Sequence, residues 1–398
     1  MRLLRLRTTM SSRDPEEAHR ASTPLELFFD LTFVVAIAQA ANSLHHGLVE
    51  GHAQNVLVGY PLVFFGIWWA WMNFSWFASA YDTDDVLYRL AVLVQISGVL
   101  VYAAGVPRAM EHQDFTVGVL GYVIMRVGLI AQWLRAAHSD PAHRACCLRY
   151  AAGIFVCQLC WIGLLAVPEA LFLPGFLVLV AAELCVPWWA ERAGVTTWHP
   201  RHIAERYGLF TIIVLGESVL AATIAVQTAL DADSTLAELG AIAVGGLLTV
   251  YAMWWIYFDM PSEHVVDRAR ATMTSYDGGA FQWGYGHYFV FAAAAATGAG
   301  IAVQVDQATG HTALSHAQAG LAVTAPVTCY LLAVWLVHVR GKRPGPMRSF
   351  ACPIAALLLL ACSWLPEPVL ATAVVMVGLI AVEFVVERRA ALADGSAA

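Results

Sequence analysis

The stretch TPLELFFDLTFVVAIAQ, residues 23–39, decides how this chain is read. It is apolar enough for a membrane helix, yet it opens with Glu26 and Asp30, four residues apart and therefore on one helical face. Thr23, Pro24 and Glu26 have the form T-x-x-E with proline at the first helical position. That is a capping box, in which hydroxyl and carboxylate satisfy free N–H groups of the first turn. A secretory leader does not fit, although AIAQA resembles a cleavage site, because the apolar part of a leader is short and uncharged. Asp30 escapes the capping explanation. It lies about 7–9 Å inside the helix start, where an ionisable group is costly unless it has a partner or faces the bundle interior. Arg89 is the partner expected from sequence order.

The rest of the chain repeats the apolar theme. Of 398 residues, 59% are hydrophobic and 13% charged, against about 25% charged in a soluble domain. Apolar runs of membrane-spanning length recur at 25–45, 55–77, 86–105, 115–135, 146–166, 170–190, 205–227, 237–258, 284–304, 317–338, 349–364 and 368–387. The expectation is an all-α polytopic membrane helix bundle of about 12 transmembrane helices. Alternate connections carry 20 of the 22 Lys and Arg residues, leaving Arg108 on the other side and Arg126 within a span. By the positive-inside rule both termini are cytoplasmic. Residues 1–22 and 390–398 read as flexible cytoplasmic tails. The eight cysteines, Cys157 and Cys160 included, read as small packing residues, since the other ligands of a metal site are missing.

An internal repeat divides the chain into six-helix halves, 23–195 and 196–389. ELFFDLTFVVAIAQ from Glu26 aligns with ERYGLFTIIVLGES from Glu205, and WWAWMN from Trp68 with WWIYFD from Trp254. AAELCVPWWAER from Ala181 likewise resembles AVEFVVERRA from Ala381. These alignments place Thr32 on Thr211, Gln39 on Ser218, Asn73 on Asp259 and Glu183 on Glu383. Six is even, so the halves share one orientation, which makes them parallel repeats.

ELFFDLTFVVAIAQ, YDTDDVLYRL, ERYGLFTIIVLGESVLA, WWIYFD and YGHY resemble signature segments of the bacterial low-temperature-requirement A family, over roughly residues 20–390. The resemblance implies a multi-pass protein of the inner membrane and a link to growth in the cold. It supplies no catalytic residues.

Candidate functional residues are the charges that lie deep. Arg126 and Glu183 fall at similar depth and suit a buried ion pair. Glu217, in VLGES beside Gly216 and Ser218, lies about 18 Å along its helix from Glu205 and is the best candidate for a proton or cation site. Asp30, Gln39, Ser218, Asp259 and His287 complete the set of substrate- or ion-binding candidates. Asp82, Asp84 and Asp85 could gather a divalent cation, because hard cations favour carboxylate oxygens, or simply cap the third span. His45, His46 and His52 face outward and His199 and His202 inward, and neither group reads as a metal site. Trp68, Trp69, Trp71, Trp76, Trp254 and Trp255 read as an aromatic belt.

No nucleotide loop, nucleophile elbow or zinc-protease helix is present, and topology accounts for the basic residues, so neither a cofactor nor a nucleic-acid partner is called for. The partners expected are the bilayer, a proton or small ion, and a small-molecule substrate whose identity the residues do not specify. The leading expectation is a coupled secondary transporter with its site between the halves. The alternatives are a non-catalytic membrane component and an enzyme acting on a lipid. Topology is directly testable: cysteine placed near Asp231 or Asp306 is expected to label from outside, and near Arg144 or Lys342 from inside. Reversal at any of these sites overturns the span count.

Overall fold

The computed structural model describes residues 6–14, 17, 21–231, 236–259, 279–339 and 346–393. They form helices α1 (Pro24–Val49), α2 (Ala53–Tyr81), α3 (Val86–His112), α4 (Thr116–Ser139), α5 (Arg144–Leu164) and α6 (Glu169–Glu191). There follow α7 (Pro200–Asp231), α8 (Leu236–Phe258), α9 (Gly279–Ala308), α10 (His316–Val334), α11 (Pro346–Ala361) and α12 (Pro368–Ala393). Eleven are long and apolar enough to cross a membrane, and the shorter apolar segment Phe350–Trp364 falls on the eleventh expected span, 349–364. The basic loops containing Arg268 and Arg270, and Arg340 to Arg343, lie outside the described residues.

Helices form wherever the apolar run is long, because in hydrocarbon only an internally bonded backbone is tolerated. Their outer faces are apolar: Leu90, Leu100, Phe155, Leu159, Leu171 and Val178 are all exposed. Such a surface matches lipid and would be a liability in water.

The chain divides into two compact units, one of residues 1–40 and 62–207, the other of 41–61 and 208–398. In the first, α3 packs on α4, α4 on α5 and α5 on α6. The closest approach is between α3 and α4. A Cβ on Gly98 would meet the Gly121 carbonyl oxygen at 2.7 Å, and one on Gly105 the Gly118 nitrogen at 2.6 Å. Bare backbones let helices touch where lipid supplies no hydrophobic drive. The buried side-chain amides of Gln95 and Gln132 bond across the same contact at 2.8 Å. In the second unit α9 packs on α10, α8 on α12 and α10 on α11.

Part of the expected flexible tail is held in place among the described residues. The Thr8 backbone N–H donates to Asp85 at 2.7 Å, Met10 is fully buried, and the Arg13 N–H donates to the Ala80 carbonyl at 3.0 Å. The sequence showed only Arg- and Ser-rich polarity, whereas tethering depends on Asp85, a residue far along the chain. At the other end, α12 continues through Ala393, and residues 394–398 lie outside the described residues.

The α3–α4 contact predicts that Gly98→Val lowers the thermal unfolding temperature of detergent-purified protein, by about 2 kcal/mol or more in stability. At Gly163, where an added Cβ meets nothing within 4 Å, Gly163→Ala is expected to be neutral or stabilising by about 0.5–1 kcal/mol. Equal behaviour of the two variants would refute the close approach.

Candidate functional site

Two buried arginine–carboxylate pairs organise the first unit, and α2 serves both. Trp69 and Trp71, two residues apart, project from nearly opposite faces of that helix. The Trp69 Nε1–H donates to Glu183 at 2.7 Å and the Trp71 Nε1–H to Asp30 at 2.7 Å. This corrects the aromatic-belt expectation, since Trp68, Trp69 and Trp71 are 2% exposed or less. Trp254 and Trp255 do face outward. An indole has an apolar body and one donor, so it suits an interface or a buried carboxylate equally well.

Asp30 pairs with Arg206 of α7, not with Arg89. Arg206 also donates to Ser75 Oγ at 3.1 Å and lies 3.2 Å from Glu26, which His202 approaches at 3.2 Å as well. Glu26 and Thr23 form the expected capping box, with N–H···O distances of 2.8 and 3.2 Å. Glu26 therefore does more than cap. It and Asp30 place two carboxylates around one guanidinium with a histidine at the edge, and all four side chains are buried. Arg206 sits in an apolar helix six residues from its start, a signal that was legible but had been absorbed into the positive-inside count.

Arg126 and Glu183 do pair, at 3.4 Å, each 1% exposed. Glu183 accepts additionally from Trp161 at 3.1 Å, while Arg126 donates to the Tyr122 hydroxyl and stacks 4.5 Å from its ring centre. A cavity of about 40 Å³ adjoins the pair, its walls including Gly66, Tyr102, Phe176, Tyr122 and Trp161. The last two are thus both cavity wall and hydrogen-bond partners of the buried charges.

Asp82, Asp84 and Asp85 do not converge on a cation site, which corrects the metal expectation. Asp84 binds Arg89 at 2.8 and 2.9 Å, and Asp85 caps α3 through the Tyr88 N–H at 2.9 Å. Asp85 also receives Arg135 and both donors of Thr8. Burial alone would raise its carboxyl, but Arg135 and the two backbone N–H groups outweigh this and hold it at about 2. Asp82 is half-buried. Among the described residues no three His, Cys, Asp or Glu side chains gather as a metal site.

The remaining candidates scatter over the second unit and α1. Glu217 is 9% exposed and has no hydrogen bond or ion pair among the described residues. Ser218 donates to the Ala294 carbonyl at 2.9 Å. Gly216 opens onto free space, and the close approach belongs instead to Gly298, whose added Cβ would lie 3.1 Å from the Ser218 Cα. Gln39 is half-buried and Asp259 is exposed at the end of α8. His287 is fully buried, with Nδ1 2.7 Å from the Trp283 carbonyl and Nε2 3.1 Å from the Tyr257 hydroxyl. His45 contacts Asp306 at 2.6 Å, and His199 the Glu17 carbonyl at 2.8 Å. Arg206, Tyr257 and His338 are functional candidates that sequence reasoning did not single out, and His202, Trp69 and Trp71 are ones it assigned to other roles.

A helical bundle with a lipid-matched surface, its first unit fastened by buried arginine–carboxylate pairs, defines a multi-pass membrane protein. The chain belongs to the family of bacterial low temperature requirement A proteins (LtrA), whose sequence model matches residues 21–384. It is similar to "Uncharacterized protein RA0937" of Rhizobium meliloti (strain 1021), at 29% identity over 280 residues. That match covers 67% of this chain and 65% of the relative, so the chain spans about two thirds of the relative's length. No solved structure matches the chain.

The indole bonds carry a prediction. Trp69→Phe retains the ring stacking but leaves Glu183 short of a donor, at an expected cost of about 1–3 kcal/mol in thermal unfolding. Trp69→Phe combined with Glu183→Gln should cost less than the sum of the single changes. Strict additivity in that cycle would show that the bond contributes nothing.

Proposed function

We propose that this protein is a proton- or cation-coupled secondary transporter of the inner membrane, with both termini cytoplasmic and with two parallel six-helix repeats. The observation that carries this reading is Glu217. It stands well inside α7, between Gly216 and Ser218, without a guanidinium or a hydrogen-bond donor among the described residues. The deep carboxylates of the first unit, by contrast, are engaged: Asp30 and Glu26 with Arg206, Glu183 with Arg126. Paired carboxylates hold helices together and are weak evidence of function. An unpaired one in a membrane helix must be met by a proton, a cation or water, and so marks an ion path. Tyr60, whose hydroxyl donates to the Ala292 carbonyl at 2.7 Å, lies within electrostatic reach of it.

The parallel repeat supports the same reading, because that architecture recurs among secondary transporters. Basic residues concentrated in alternate connections support the orientation. The lipid-enzyme alternative rested on a metal at Asp82, Asp84 and Asp85, and it weakens because arginines occupy two of the three.

The test is reconstitution of the full chain in liposomes loaded with a pH-sensitive dye, under imposed Na⁺, K⁺ or pH gradients. Wild-type protein is expected to move protons above the empty-liposome rate in response to at least one gradient. Glu217→Gln, which keeps shape and hydrogen-bonding capacity, should abolish the coupled flux at equal incorporation. Unchanged flux in Glu217→Gln excludes the coupling role, and no flux in wild type under any gradient refutes transport of these ions.

A further inference from the structure

The second unit holds a cluster of heteroatom-bearing rings that ion coupling at Glu217 does not use. Tyr257 lies at the end of α8, His287 in the third turn of α9, and His338 in a five-residue π turn, Trp335–Val339, that follows α10. The three ring centres form a small triangle: His287 to His338 5.4 Å, Tyr257 to His338 5.2 Å, and Tyr257 to His287 5.9 Å. All three side chains are buried. They come from three helices yet lie near one face of the membrane, because α8 and the α10 extension end where α9 begins.

Three features of this triangle suit a metal ion. The first is the tautomer of His287. A carbonyl can only accept, so the 2.7 Å contact with Trp283 requires the ring proton on Nδ1 and leaves the lone pair on Nε2, directed at Tyr257. A backbone carbonyl fixing the outer nitrogen is the support that metal-bound histidines almost always have. The second is spacing. With bonds of about 2.0–2.1 Å to a tetrahedral ion, two imidazole centres lie about 5 Å apart and two donor atoms about 3.3 Å apart. The observed values are 5.4 Å between ring centres and 3.1 Å between His287 Nε2 and the Tyr257 oxygen. The third is the π turn itself. Such turns are rare, cost helix stability and concentrate at functional sites. This one comprises Trp335 to Val339 and so determines where His338 is aimed.

We propose that His287, His338 and Tyr257 form a binding site for a divalent transition-metal ion of the Zn²⁺ type. Two imidazoles with one phenol oxygen select borderline ions over Ca²⁺ or Mg²⁺, which want more oxygen donors. Three protein ligands leave a fourth position for water or an incoming ligand. Thr211, whose hydroxyl bonds to Tyr257, orients the phenol. The site differs from Glu217 in residues and in chemistry, and either assignment can fail without the other.

The experiment uses the full chain, purified in detergent with a tag free of histidine and stripped with a chelator, then titrated with Zn²⁺ and with Co²⁺ as its spectroscopic substitute. Wild type is expected to bind about one equivalent, and Co²⁺ to give the intense visible bands of a tetrahedral site. His287→Gln and His338→Gln should each weaken binding about tenfold or more. His45→Gln, which removes a histidine bound to Asp306, should leave it unchanged. A wild-type Co²⁺ spectrum showing only weak octahedral bands overturns the proposal, and that readout does not depend on any variant folding. Unaltered affinity in both histidine variants also overturns it.

Discussion

The first unit depends on one constraint: a charge placed among membrane-spanning helices must be met by other side chains. Arg206 with Asp30 and Glu26, and Arg126 with Glu183, are two solutions to it. Neither pair is complete alone. Asp30 takes its second donor from Trp71, and Glu183 takes two more from Trp69 and Trp161. Because both pairs draw on α2, the rotation of that helix about its axis is specified twice. A small rotation would strand a carboxylate on either side, and in a medium without water that loss is large.

Packing and polarity divide the work. Where α3 meets α4, glycines bring the backbones together and dispersion holds them, with Gln95 and Gln132 satisfying each other inside the contact. Where α2, α4 and α6 meet, bulky rings and charges fill the space instead, and the cavity beside Tyr122 and Trp161 lies at the boundary of the two regimes. In the second unit the polar interior is chemically different. Its buried groups are Glu217, hydroxyls such as Ser218 and Thr297, and the His287–His338–Tyr257 rings, whereas the arginine–carboxylate pairing described for the first unit is not repeated there among the described residues.

This difference bears on function. Paired charges lower each other's cost of burial and fasten helices together, which leaves less to exchange with an ion. A carboxylate without a cationic partner retains the capacity to bind and release. Both proposed ion sites, at Glu217 and at the three rings, lie in the second unit, and the arginine–carboxylate pairs Arg206–Asp30 and Arg126–Glu183 lie in the first.

Helix number, helix type and membrane class were readable in the sequence because they depend on local quantities: apolar run length and the internally satisfied helical backbone. The capping box at Thr23 and Glu26 was readable for the same reason. The Arg126–Glu183 pair was also accessible, since helix order alone fixes approximate depth. What only tertiary structure decided was lateral: which helix faces which, and at what rotation. Asp30 therefore meets Arg206 rather than Arg89, the tryptophans of α2 turn inward to carboxylates, the aspartates before α3 are taken by arginines, and Thr8 is tethered to Asp85. Depth along a helix is carried by residue count, whereas azimuth is set by packing among segments far apart in the chain, and no local pattern records it.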